Sequence, residues 1–186
     1  MNVYFAASTR NLSQNRTKFV KLLEVFKELG HVVLPSWIVE KLYSKESSDK
    51  RPQELVLDNT QLVQESDLVV IDLSTPSFGV GYLFGQALAN HRPILCLYPE
   101  TVSLESISEI VKGSTSSLVT LKSYSESNVR DIIRDYLAGM SLDSLRKFNF
   151  IASEEIMRFI EDGSVKEGKS KSEFLRDKIL NELITK

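Results

Sequence analysis

Short apolar runs alternate with helical patterns along most of this chain. The apolar runs predict five strands, at VYFAA, HVVLPSW, LVVIDL, PILCLY and SLVTLKSY. Apolar residues at helical spacing predict a helix over 15–29 that ends at Gly30, and further helices around 55–63, 81–90, 103–113 and 127–138. LVVIDL has no polar residue before Asp72, which is typical of a strand buried on both faces of a parallel sheet.

Strands that alternate with helices predict an α/β fold, with a Rossmann-like or flavodoxin-like parallel sheet of about five strands and helices on both faces. The polar segment 41–53 is expected to be a surface loop. Ligands of such sheets bind beyond the carboxyl ends of the strands. Polar residues and turn formers follow three of the predicted strands, at 7–10, 74–77 and 98–100, so a ligand site is expected there.

The pattern changes after Gly139. KFNFIA alternates polar and apolar residues, as a half-buried strand does, and two helical segments follow it. Ser153 is expected to cap the first of these helices and Gly168 to end it, while Ser170 or Ser172 caps the second. We therefore expect two domains, an α/β domain over 1–139 and a β-α-α module over 141–186.

The composition of the chain bears on its cellular location and on whether it binds a membrane, a metal or a cofactor. The chain has 186 residues, a net charge of −2 and one cysteine, Cys96, which lies in an apolar run. A disulfide within one chain is impossible, so a reducing, cytoplasmic location is expected. No apolar run reaches the ~20 residues that span a bilayer, and no membrane association is expected. His31 and His91 lack neighbours at metal-ligand spacing, so neither a metal nor a cofactor is expected.

The glycines of SFGVGYLFG stand where a strand passes into a helix. Their spacing, at Gly79, Gly81 and Gly85, does not match the dinucleotide pattern GxGxxG. Ser77 and the backbone N–H groups at the start of the helix can hold an anion such as phosphate. Glycines needed only for tight packing of the turn are the alternative, and this stretch by itself leaves both interpretations open.

The blocks TPSFGVGYLFGQAL, RPILCLY, YFAASTR and SDLVVIDL resemble the nucleoside 2-deoxyribosyltransferase superfamily, and its 2′-deoxynucleoside 5′-phosphate N-hydrolase branch most of all. The resemblance covers residues 3 to about 137. It implies a Rossmann-like homodimer in which a glutamate attacks the anomeric carbon of a deoxynucleotide. The product of that attack is a covalent glycosyl-enzyme, as in retaining glycosidases.

The resemblance implies a site tyrosine at Tyr4 and a set of nucleotide-binding residues. Ser8, Arg10 and Ser77 match positions near the 5′-phosphate, and Ser108 matches a serine that the neighbouring subunit contributes. The full nucleotide-binding set expected from the resemblance is Ala7, Ser8, Arg10, Ser77, Gly79, Gly81, Leu83 and Ser108.

The catalytic half departs from the family pattern. Leu83 occupies the position of the nucleophilic glutamate, and Asn59 that of a family aspartate. A leucine has no lone pair, and an amide cannot act as a carboxylate. We therefore expect a nucleotide-binding protein without efficient cleavage of the glycosidic bond. The alternative is an active deoxynucleoside monophosphate N-glycosidase or deoxyribosyltransferase that uses Asp58 or Asp72, with Tyr4 and Asn59 in its catalytic set.

The module over 141–186 resembles the ribbon-helix-helix proteins of the Arc/MetJ/CopG type. The resemblance implies base contacts from the strand residues Lys147, Asn149 and Ile151 in the major groove of duplex DNA. Phosphate contacts would come from Lys169, Ser170 and Lys171. The module holds nine basic and nine acidic residues, so it is not basic overall, and a role in dimerisation alone is the alternative. A homodimeric, ligand-responsive DNA-binding regulator is the combined hypothesis.

Overall fold

The computed structural model of the protein describes residues 1–43, 51–140 and 152–184. The chain separates into two compact units, Met1–Lys147 and Phe148–Lys186. The sequence predicts its domain boundary slightly earlier, at 139–141. Within the described ranges, no helix is both long and apolar enough to cross a membrane.

The first unit is built on a parallel sheet of five strands, in the order β2-β1-β3-β4-β5. The strands are β1 (Asn2–Ala6), β2 (Val32–Val33), β3 (Leu68–Asp72), β4 (Ile94–Pro99) and β5 (Val119–Tyr124). All five residues of β3 are buried, as the LVVIDL pattern indicates. The predicted α/β fold is confirmed. The strand order places a topological switch point between β1 and β3, where the chain leaves the two strands in opposite directions.

Helices cover both faces of this sheet. Their bounds are α1 (Leu12–Glu28), α2 (Trp37–Tyr43), α3 (Pro52–Glu65), α4 (Phe78–Ala89), α5 (Glu109–Lys112) and α6 (Val129–Gly139). Apolar residues of α1, α2 and α6 pack with one set of strand side chains, including Phe5 and Leu97. Residues of α3 and α4 pack with the alternate set, including Tyr4 and Ile71. The period of two along each strand therefore assigns neighbouring residues to opposite cores.

Three predictions about elements were wrong in part. The stretch HVVLPSW forms a strand only at Val32–Val33. Pro35 lacks the N–H that a further ladder bond would need, so the strand cannot continue past it. The Ser36 hydroxyl donates instead to the Phe5 carbonyl (2.9 Å). Helix α2 then occupies the start of the predicted 41–53 loop. The helix predicted over 103–113 is a 3₁₀ turn at Leu104–Ser106 followed by the short α5.

The described part of the second unit is a pair of helices, α7 (Glu154–Glu167) and α8 (Lys171–Ile184). Ser153 accepts a bond from the Ile156 N–H (3.4 Å), and Gly168 ends α7 in the left-handed region (φ 64°), so both predicted ends are confirmed. Helix α8 begins directly after Ser170, which rules out Ser172 as its cap. The predicted strand KFNFIA lies outside the described residues.

Candidate functional site

A cavity of about 280 Å³ opens beyond the carboxyl ends of β1 and β3, at the switch point of the sheet. Helices α2, α3 and α4 supply the rest of its wall. Six residues predicted for the site line it, and they are Tyr4, Ala7, Asn59, Ser77, Gly79 and Leu83. Residues that lie 79 positions apart in sequence thus meet in one cavity because parallel strands end at the same edge.

The sequence also missed part of this wall. Trp37 and Ile38 of α2, Leu55 and Val56 of α3, and Tyr82 of α4 all border the cavity. Neighbouring apolar residues on a helix look the same in the sequence whether they face the core or a ligand, so no sequence signal identified these positions. The arrangement gives the cavity an apolar, partly aromatic surface suited to a planar ring.

One hydrogen bond connects β1 to α3 inside the cavity. The Tyr4 hydroxyl donates to Asn59 Oδ1 (2.7 Å), and Asn59 Nδ2 donates to the Leu55 carbonyl (2.6 Å). Burial raises the pKa of Tyr4 above its ordinary value, so its phenol stays protonated and keeps donating at neutral pH. Both polar ends of the Asn59 amide are therefore engaged within the protein.

Leu83 lies on α4 and faces this cavity. Its side chain is half-buried and packs against the same core as Tyr4, and Phe84 beside it is almost wholly buried. No residue lining the cavity, among those that the structure describes, is a carboxylate, an amine or a histidine. Within the described ranges, the residues that line the cavity therefore carry no side chain that is charged at neutral pH.

A second, wider cavity of about 660 Å³ lies on the other side of the α4 N-terminus. Ser77 also lines this cavity, together with three more of the predicted site positions, Arg10, Gly81 and Ser108. Ser77 belongs to both cavities and caps α4, where its Oγ accepts from the Val80 N–H (3.5 Å). A hydroxyl, a guanidinium and the start of a 12-residue helix are the groups that bind a phosphate.

Ser8 does not border either of these cavities. It is 3% exposed, and its Oγ accepts a hydrogen bond from the Arg10 N–H (3.2 Å). This bond closes a tight turn after β1, and Asn11 follows with a positive φ of 56°. The position of Ser8 thus indicates a role in shaping the turn that presents Arg10.

The two carboxylates considered as substitute nucleophiles lie elsewhere. Asp58 is exposed and lines a shallow third cavity with Glu40 and Trp37. Asp72 is 1% exposed at the end of β3, where it accepts hydrogen bonds from the Tyr124 hydroxyl (3.0 Å) and the Ser74 N–H (2.9 Å). The wall of the switch-point cavity includes neither residue.

The predicted phosphate-binding residues of the second unit are at the turn between α7 and α8. Lys169 Nζ pairs with Glu167 (3.0 Å) and Asp177 (2.9 Å), and Lys171 Nζ pairs with Glu161 (2.5 Å). The hydrogen bond from Lys169 to Asp177 is the main reason why the pKa of Lys169 is raised. Binding of DNA phosphates would have to displace these acidic partners. Lys147, Asn149 and Ile151 lie outside the described residues.

No protein-family model matches the chain. Individual proteins do match it. The chain is 31% identical over 126 residues to "Putative 2′-deoxynucleoside 5′-phosphate N-hydrolase 1" of Thermofilum pendens, and the match covers 68% of this chain and 87% of that protein. The chain belongs to the 2′-deoxynucleoside 5′-phosphate N-hydrolase family. The predicted superfamily, that of the nucleoside 2-deoxyribosyltransferases, is thereby confirmed for the α/β domain.

Other comparisons agree with this family. The 5-hydroxymethyl-dUMP N-hydrolase of Esox lucius is 28% identical over 152 residues, which cover 77% of this chain and all of that protein (100%). The structure of the CMP N-glycosidase BcmB of Clostridium botulinum superposes with a TM-score of 0.55 at 19% identity, over 73% of this chain and 99% of that one. The superposition on BcmB shows that the α/β domain of this chain has the same fold as that CMP N-glycosidase.

Proposed function

We propose that the α/β domain binds a 2′-deoxynucleoside 5′-monophosphate or a related phosphorylated nucleoside and does not cleave it efficiently. The observation that carries the proposal is that the described residues of the switch-point cavity wall are uncharged. Leu83 and Asn59 belong to this wall, and the resemblance assigns the two carboxylates of the family to their positions. The family membership suggests the class of ligand, and the side chains of the cavity wall determine whether its glycosidic bond can be cleaved.

Cleavage of an N-glycosidic bond by the family route needs a nucleophile at the anomeric carbon. Leu83 has only carbon atoms in its side chain. Tyr4 could attack only as a phenolate, and burial holds its pKa above the ordinary value. Asp72 is engaged by Tyr124 and Ser74 behind the loop, so its use as a nucleophile would require these bonds to break.

The phosphate end of the proposed ligand has a separate basis. Ser77 and Gly79 begin α4 at the edge shared by the two cavities, and Arg10 borders the wider one. We place the phosphate at the α4 N-terminus beside Arg10, and the base against Trp37 in the switch-point cavity. Tyr4 and Asn59 then lie near the sugar or the base as neutral hydrogen-bonding groups.

Titration calorimetry tests the binding half of this proposal. Each of the four 2′-deoxynucleoside 5′-monophosphates is titrated into the full-length protein, in parallel with its nucleoside. At least one monophosphate should bind more tightly than its nucleoside, and Arg10→Met should remove that difference while Arg16→Met, a change on the neighbouring helix, should not. If none of the monophosphates bound, the proposal would fail.

We further propose that the protein is a homodimer whose subunits meet over the wider cavity. Phe78 is 94% exposed and Ile110 is 77% exposed, and both border this cavity with Tyr82 and Ser108. Exposed aromatic and aliphatic side chains grouped around one opening are typical of a surface that a partner covers. A second copy is the partner that we infer, because the resemblance assigns the Ser108 position to the neighbouring subunit's site.

The second unit is proposed to be a dimerisation module of the ribbon-helix-helix type. Its helices leave several apolar side chains exposed, among them Ile156, Phe159 and Ile179. A unit of this size seldom buries enough apolar surface to be stable without a partner. Duplex DNA binding by the module stays a prediction, and its test is salt-dependent binding that weakens on Lys169→Ala.

A further inference from the structure

Four polar side chains form a connected group at the carboxyl end of β3, outside the walls of both cavities. Asp72 accepts from the Ser74 N–H (2.9 Å) through one carboxylate oxygen and from the Tyr124 hydroxyl (3.0 Å) through the other. Lys18 of α1 donates to Ser74 Oγ (2.6 Å). One helix and two strands of the α/β domain thus hold the same short loop.

This loop is the one that leads to the proposed phosphate site. Ser74 is three residues before Ser77, and Thr75 and Pro76 between them line the wider cavity. The bond to Asp72 holds the backbone at Ser74, and the bond from Lys18 holds its hydroxyl. The direction in which Ser77 starts α4 therefore depends on a lysine that does not itself line either cavity.

The group also has an electrostatic consequence. Asp72 is a nearly inaccessible carboxylate, and its charge acts through protein rather than through water toward the start of α4. Such a charge opposes a phosphate at Ser77. Lys18 lies within electrostatic range of Asp72 and is half-buried, and loss of water around its ammonium lowers its pKa. Its positive charge offsets the carboxylate.

We propose that Lys18 is a positioning residue for the phosphate end of the ligand, which fixes the loop before Ser77 and balances the charge of Asp72. The inference rests on the proposed function, since it names a further determinant of the same site. It assigns to the site a cation that the sequence patterns did not single out. It also gives Asp72 a structural role in place of the nucleophilic one considered for it.

Calorimetry with matched variants tests the inference. Lys18→Met should weaken binding of the 2′-deoxynucleoside 5′-monophosphates by about tenfold, the scale expected for one partly buried charge. Binding of the corresponding nucleosides should stay unchanged. Lys21→Met is the control, because Lys21 is one turn further along α1, is exposed and pairs with Glu126 (2.6 Å). It should leave both kinds of ligand unaffected.

The double variant Lys18→Met with Asp72→Asn separates charge balance from damage to the fold. Removal of the negative charge should restore part of the lost monophosphate affinity, because an asparagine oxygen can still accept from the Ser74 N–H. The inference is overturned if Lys18→Met binds monophosphates as tightly as the wild type does, or if its affinities for nucleosides and monophosphates fall equally. It is also overturned if adding Asp72→Asn to Lys18→Met does not raise the affinity for monophosphates. A wild-type protein that binds no monophosphate would instead overturn the proposed function on which the inference rests.

Discussion

At the scale of single residues, the chemistry of this site depends on two positions. Leu83 and Asn59 face one cavity from α4 and α3, and the resemblance assigns the two acids of the family to these positions. On that assignment, one difference removes the nucleophile and the other removes a second carboxylate. A cavity without either charge is suited to holding a neutral ring and sugar, since no uncompensated carboxylate has to be buried.

Restoring these acids should restore the reaction. We expect the double variant Leu83→Glu with Asn59→Asp to release free base from a 2′-deoxynucleoside 5′-monophosphate, because it leaves the proposed phosphate-binding residues Arg10 and Ser77 unchanged. The matched control is Leu83→Gln with Asn59→Asp, which has nearly the same shape but lacks the nucleophilic oxygen pair. Chromatographic detection of the base measures both. Release from the control at the same rate would contradict the role given to position 83.

The burial of Tyr4 predicts that the protein loses stability at alkaline pH. Burial raises the pKa of Tyr4 in the folded protein, whereas the unfolded chain releases that proton near pH 10. The unfolded state therefore binds fewer protons above about pH 10, and the free energy of unfolding falls as the pH rises further. Below that pH this contribution is constant.

Urea unfolding between pH 8 and 11 measures this effect. Tyr4→Phe should lower stability at pH 8 by about 1 kcal/mol, because Asn59 loses its donor. The same variant should lose less stability than the wild type between pH 10 and 11. Tyr82→Phe, at an exposed tyrosine of α4, serves as the control. If the free energy of unfolding fell by the same amount between pH 10 and 11 in the wild type and in Tyr4→Phe, this explanation would be refuted.

At the scale of elements, the apolar patterns predict all five strands of the sheet and most of its helices. They fail where a run of apolar residues serves two elements, as in HVVLPSW and the first turn of α2, where Ser36 turns the chain away from the sheet. The patterns also cannot reveal bonds that connect distant positions. The Tyr4–Asn59 bond joins residues 55 apart, and Tyr124 reaches Asp72 across β4.

The pairing of α7 with α8 makes a prediction at this scale. The ring of Phe174 lies directly against the backbone of Gly163, and any Cβ at that position would overlap the ring. Alanine normally favours a helix interior over glycine by about 1 kcal/mol. We nevertheless expect Gly163→Ala to destabilise the pair by about 1–3 kcal/mol through overpacking.

Hydrogen exchange of the α7 and α8 amides measures the local stability. Gly85→Ala is the matched control, since Gly85 lies in α4 and a Cβ there meets no atom within 4 Å. It should leave exchange in α4 unchanged or slower. Combining Gly163→Ala with Phe174→Leu should recover part of the loss. Protection in Gly163→Ala equal to that of the wild type would contradict the contact between Gly163 and Phe174.

At the scale of the whole molecule, the proposed nucleotide site lies beside a surface that we propose a second copy covers. The exposed side chains around the wider cavity predict that Phe78→Ser shifts the protein from dimer toward monomer. Light scattering coupled to size-exclusion chromatography measures this shift. Leu57→Ser is the control, because Leu57 is 69% exposed on α3 and lies outside the walls of both cavities. A wild-type protein that is monomeric at micromolar concentration would refute the proposed dimer.

Release of free base by the wild-type protein decides between binding and cleavage of the nucleotide. The protein is incubated at high concentration with each 2′-deoxynucleoside 5′-monophosphate, and the products are separated by chromatography. We predict that the nucleotide is bound and recovered intact, because the cavity wall, as far as the structure describes it, contains no carboxylate that could attack the sugar. Steady release of base at a rate proportional to protein concentration, and lost in Asp58→Asn or Asp72→Asn, would contradict it.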